Sequence, residues 1–141
     1  HATSDMYWAG DRVGPERMKG AYAYKKLLAL NGWLPNGTDF PIENISPLYT
    51  YYAAVARKDL EGYPSGGFQM QDALSREDAL RSITIWAAKA SFEESEKGSL
   101  EAGKAADITI LNKDIMTIDE KDIPVTEVKY TIVNGEIIYK L

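Results

Sequence analysis

Three positions in this 141-residue chain combine a reactive or binding side chain with a suggestive setting. Asp39 lies in Gly37-Thr38-Asp39-Phe40-Pro41, directly after a short apolar stretch. Gly37 lets the backbone approach closely, and Pro41 stiffens the exit. A carboxylate held at the end of a strand can ligate a metal ion and take a proton from water bound to it. An aspartate in such a turn can also do no more than bond its own backbone. His1 admits two readings as well: a ligand or substrate contact at a strand end, or a terminal residue left by cloning or without fixed structure. Trp8 sits in an aperiodic stretch, where an aromatic side chain can line a substrate pocket. Asp5, and Asp11 with Arg12, read as loop capping and a surface ion pair. Gly66-Gly67-Phe68 lacks the spacing and the lysine of a phosphate loop.

The elements that must position these residues follow from periodicity. Residues 2–14 have no period and read as a loop. Pro15 suits a first helical position, and Met18, Ala21, Tyr22, Leu28 and Ala29 recur at helical spacing through residue 30. Asn31-Gly32 supplies the stop. Residues 33–38 read as a brief buried strand, weakened by Pro35. Ser46-Pro47 opens a helix to about Arg57, with Ser46 as its cap. Tyr49 and Tyr52 share one face of it, a pattern that favours packing. Residues 58–74 form a long loop with three glycines, the kind that covers or serves a site. Ser75 caps the clearest helix, whose stripe is Ala79, Leu80, Ile83, Trp86, Ala87 and Ala90. After Gly98 the period changes to two. Residues 106–111, 127–133 and 136–141 read as strands, with Asn134-Gly135 as a hairpin turn between the last two. The boundary between a helical part with short strands (1–97) and an all-β part (98–141) falls at Glu96-Lys97-Gly98-Ser99.

Composition narrows the function. Sixteen Lys and Arg against 21 Asp and Glu give a net charge of −5, which disfavours nucleic acid as a partner. No apolar run approaches the ~20 residues of a membrane-spanning helix. With no cysteine and one histidine, the chain has no thiol chemistry and cannot build a histidine-rich zinc site by itself. A Ser-His-Asp triad would have to use the first residue.

The motifs themselves carry a resemblance. His-Ala-Thr-Ser-Asp-Met (1–6), Asp-Arg-Val-Gly-Pro-Glu-Arg (11–17) and Gly-Ala-Tyr-Ala-Tyr (20–24) occur in order with Gly-Thr-Asp-Phe-Pro-Ile-Glu (37–43) and Gly-Ser-Leu-Glu-Ala-Gly-Lys-Ala-Ala-Asp (98–107). Together they resemble the C-terminal part of the YtcJ-like metal-dependent hydrolases of the amidohydrolase superfamily. The resemblance implies an α/β fold: the C-terminal portion of a (β/α)8 barrel over residues 1–97, followed by part of a small β-sandwich over residues 98–141. It implies that Asp39 is the strand-eight aspartate, a metal ligand and proton acceptor. It implies that His1 contacts substrate, and that Trp8 and the 58–74 loop shape the pocket mouth. The implied chemistry is hydrolysis of carbon–nitrogen bonds other than peptide bonds, with a divalent metal, zinc by preference, and a small amide-type substrate. The remaining metal ligands of that family lie on strands that would precede His1. On this reading the chain is a fragment, inactive alone and without a catalytic metal of its own. Unpaired strand edges would then drive self-association or contact with the missing N-terminal part. Nothing in the sequence sets the compartment. The competing reading is a non-catalytic α+β binding or assembly module, with Asp39 a plain turn residue.

Overall fold

In the computed structural model, which describes residues 1–141, helices occupy the first two-thirds of the chain and one antiparallel sheet the last third. After a 3₁₀ turn at Asp5–Tyr7, the helices are α1 (Ala9–Met18), α2 (Tyr24–Asn31), α3 (Pro47–Ala56), α4 (Arg76–Ser82) and α5 (Ile85–Ala90). The strands are β1 (Ile108–Leu111), β2 (Val128–Val133) and β3 (Glu136–Lys140). No helix is long and apolar enough to cross a membrane.

Several local signals act as expected. Pro47 is the first residue of α3, and Ser75 accepts the Asp78 N–H at the start of α4. The Gly32 N–H closes α2 on the Leu28 carbonyl. Asn134 and Gly135 both have positive φ, 51° and 84°, the backbone that a tight hairpin requires. β1 pairs with β2, and β2 with β3, all antiparallel.

Other expectations fail for identifiable reasons. The 2–14 segment is not a plain loop: α1 begins at Ala9, kinks at Gly14 and resumes at Pro15. The helix expected through residue 30 is broken between α1 and α2. There Tyr22 takes a left-handed backbone (φ 55°), and its hydroxyl donates to Asp5. Residues 33–38 form no strand. Pro35 has no N–H to offer, and the Asn36 N–H goes to the Ser82 carbonyl of a helix instead of to a neighbouring strand. Ser46 makes no side-chain cap. The helix from Ser75 stops after Ser82, because Ile83-Thr84-Ile85 is β-branched and the Thr84 hydroxyl turns back to the Leu80 carbonyl. Trp86 is consequently half-buried, and Ala90 exposed.

The core sits on α3. Tyr51, Tyr52, Ala54, Val55 and Ala56 pack with Leu74, Ala79 and two residues of the β1–β2 connection, Ile115 and Ile123. Gly98 joins the two parts at close quarters: with φ at 92°, a Cβ there would lie 2.8 Å from Ala88 Cβ and 2.9 Å from Ile85 Cα. The accessible surface is 8816 Å², against about 7,300 Å² for a compact monomer of this size. The excess is apolar in part: Phe92, Leu100, Ile137, Ile138 and Leu141 are exposed.

Candidate functional site

The segment before α1 and the turn after residue 38 meet at His1. The Asp5 N–H donates to the His1 carbonyl at 2.8 Å, which folds residues 1–5 into a turn. Asp39 ends the extended 33–38 segment in a left-handed conformation (φ 54°), which an aspartate tolerates better than most residues. The Ile42 N–H donates back to the Asp39 carbonyl, 2.9 Å, closing the turn that also carries Glu43.

His1 Nε2 lies 2.9 Å from Asp39 Oδ2. Its other ring nitrogen, Nδ1, is 3.3 Å from Glu43 Oε1 and 4.0 Å from Asp5 Oδ2. The Ser4 hydroxyl donates to the same Glu43 oxygen at 2.5 Å. Tyr22 holds Asp5 Oδ2 at 2.8 Å. Burial, and then this bond to Asp5, push the Tyr22 phenol up to about 12.

Beside this cluster opens a cavity of about 270 Å³. Its walls include His1, Ser4, Thr38, Glu43, Tyr49 and Tyr52, and on another side Tyr7, Lys58, Asp59 and Leu60. The 58–74 loop therefore does contribute wall residues. Asp59 organises that rim. Its Oδ1 accepts the N–H groups of Glu61 and Tyr63, and Tyr7 donates to its Oδ2. The bond to Asp59, followed by burial, raises the Tyr7 phenol to about 12. Desolvation works against the Asp59 carboxylate, but the hydrogen bonds from Tyr7 and the turn outweigh it and hold the group below its ordinary range. The Tyr7 ring stacks on Tyr63, with centroids 5.9 Å apart.

The three sequence candidates are thus placed differently. His1 lines the cavity. Asp39 touches His1 but is 63% exposed and outside the cavity wall. Trp8 is 51% exposed and also outside it. Sequence reasoning did not single out Ser4, Tyr7, Glu43 or Asp59. Glu43, four residues beyond Asp39 in the same turn, was the one local signal available.

The donor chemistry can be set against the metal that the resemblance implies. Asp39 Oδ1 has no hydrogen-bond partner, so it can serve as one oxygen ligand while Oδ2 stays on His1. His1, Asp5 and Glu43 place ligating atoms within 4.8 Å of one another, the histidine facing the two carboxylates with Nδ1 while Nε2 meets Asp39. Asp39 stands outside that group of three.

A family model described as "Amidohydrolase family" matches residues 1–139. A protein named as an amidohydrolase, YtcJ of Bacillus subtilis, is 33% identical over 137 residues, covering 97% of this chain and 26% of that protein. Protein LONG AFTER FAR-RED 3 of Arabidopsis thaliana is 34% identical, covering 99% and 24%. The N-substituted formamide deformylase of Arthrobacter pascens is 34% identical, covering 94% and 23%. The crystal structure of an amidohydrolase from Thermotoga maritima MSB8 is similar at a TM-score of 0.45 and 16% identity, over 86% of this chain and 35% of that one. The chain spans about a quarter of the length of the curated relatives it matches.

Proposed function

This chain belongs to the amidohydrolase family, and we propose that it forms the C-terminal portion of a metal-dependent hydrolase acting on carbon–nitrogen bonds other than peptide bonds. The observation that carries the reading is Asp39. It falls in the family-matched segment, its turn is fixed by Ile42, and one carboxylate oxygen is free while the other is anchored on His1. Residues 1–97 would complete the end of a barrel and residues 98–141 part of a sandwich. The exposed apolar surface supports a contact with the rest of the protein or with a second copy.

A divalent metal, zinc by preference, would when bound supply Lewis acidity that lowers the pKa of a water to about 7. Asp39 would be a ligand to such a metal, and its carboxylate would accept the proton of the attacking water and deliver it to the leaving nitrogen. His1, with its two ring nitrogens turned to Asp39 and Glu43, would form part of the wall that the amide-type substrate contacts. Thr38, Tyr49 and Tyr52 would line the space beside it, and Trp8 the outer approach. The relative from Arthrobacter pascens, named for N-substituted formamides, supports a small amide as the substrate class.

The test is Asp39→Asn in the full-length protein that carries this segment. The amide keeps the size but can take no proton, so hydrolysis should fall by roughly a thousandfold or more. Activity within tenfold of the parent would overturn the assignment. The 141-residue chain alone should show neither stoichiometric metal nor amide hydrolysis.

A further inference from the structure

We propose that Glu43 is a positioning residue: together with Ser4 it sets the plane of the His1 ring and so directs Nε2 onto Asp39. The proposal rests on the reading above for why that direction matters, but its geometry stands on the contacts themselves.

An imidazole on a half-exposed side chain can turn about two bonds, and one contact does not fix its plane. Here a carboxylate faces each ring nitrogen: Nε2 is hydrogen-bonded, and Nδ1 lies at ion-pair distance. Nε2 is 2.9 Å from Asp39 Oδ2, and Nδ1 is 3.3 Å from Glu43 Oε1. Both carboxylates come from one turn, whose span is set by the Ile42 N–H bond to the Asp39 carbonyl. The two arms of the clamp are therefore spaced by backbone, not by chance approach of two loops.

Glu43 is itself held in place. Ser4 donates to the oxygen that faces Nδ1, at 2.5 Å, and the same hydroxyl lies 3.2 Å from the His1 carbonyl. The competing carboxylate, Asp5, stands farther from Nδ1 at 4.0 Å and is engaged by Tyr22. Glu43 is thus the nearer carboxylate to Nδ1, and the group facing one ring nitrogen influences what the other can do.

His1 is the single histidine of the chain, so its imidazole can be followed without ambiguity by nuclear magnetic resonance of the 141-residue protein. The variants are compared at one pH. In Glu43→Ala, the contacts between the His1 ring protons and residues 38–40 should be lost, and the two ring ¹⁵N signals should move toward those of free histidine. Glu43→Gln keeps an acceptor oxygen and should retain the contacts. If Glu43→Ala disturbs amide signals beyond its own turn, Ser4→Ala is read instead and should weaken the same contacts. The proposal is overturned if the alanine variants leave the ring signals unchanged, or if glutamine is as damaging as alanine. None of these readouts uses hydrolysis, so loss of the amide-hydrolysis reading would leave this result standing, and the reverse.

Discussion

The helices around α3 and the three strands after Gly98 hold together by different means. α3 presents Tyr51, Tyr52, Ala54, Val55 and Ala56 to a closed core, and the fully buried Arg57 ends it. Every residue of β3 is exposed, and the sheet rests on its main-chain ladder and the 134–135 turn. The connection between β1 and β2 reaches the core through Ile115 and Ile123, and of the strands Leu111 of β1 packs against it. The helical part is therefore specified by side chains that meet across long separations in sequence. The sheet is specified by alternation and one turn. The cavity and the His1 cluster belong to the first part, where geometry depends on tertiary contact.

Removing a core charge is the strongest way to break this contrast. The Arg57 guanidinium lies over the rings of Tyr24 and Phe68, 5.3 and 5.8 Å from their centres, and Nε donates to the Phe68 carbonyl at 2.9 Å. Burial lowers its pKa, while Tyr24 and the buried Asp72 act in the other direction. Arg57→Ala should cost about 2–4 kcal/mol in urea unfolding, because it removes a buried side chain with its bond to the Phe68 carbonyl and its two ring contacts. Loss of less than about 1 kcal/mol would mean that this charge does not organise the helical core.

A smaller effect separates the two parts directly. Gly135→Ala puts a side chain at φ 84° and should cost about 1 kcal/mol. Hydrogen exchange should speed up in β2 and β3 while α3 stays protected. Equal loosening of α3 would show that the two parts unfold as one unit.

The mildest test is alkaline. Tyr7 and Tyr22 have phenols raised to about 12, above the unfolded value of 10. A raised pKa means that the folded state holds the proton more tightly. The stability so contributed is complete below pH 10 and is lost as the pH climbs toward 12. Tyr7→Phe with Tyr22→Phe should flatten that part of the stability curve. An unchanged alkaline slope would remove both hydroxyl contacts from the account.

Local chemistry made some of this legible in advance. The Ser75 cap, Pro47 at the first helical position and the Asn134-Gly135 hairpin each depend on a few adjacent residues, and each forms where its pattern occurs. The broken helices were not legible. Tyr22 leaves the helix to reach Asp5, and Thr84 turns its hydroxyl back on Leu80, although the apolar period runs on through both positions. At the site, motif matching singled out His1 and Asp39, but the partners that orient His1 did not stand out from other acidic and hydroxyl residues.

Sequence alone set the three C-terminal strands, the hairpin turn, the Pro47 and Ser75 helix starts and the family, because these rest on neighbouring residues and on motifs kept in register. Folding decided which carboxylates surround the imidazole. Ser4, Asp5, Asp39 and Glu43 lie on two segments more than thirty positions apart, and no short-range preference brings them together. Folding also left residues 33–38 extended but unpaired. A strand exists only when another backbone lies beside it to take its hydrogen bonds, and here the partner of Asn36 is a helix carbonyl.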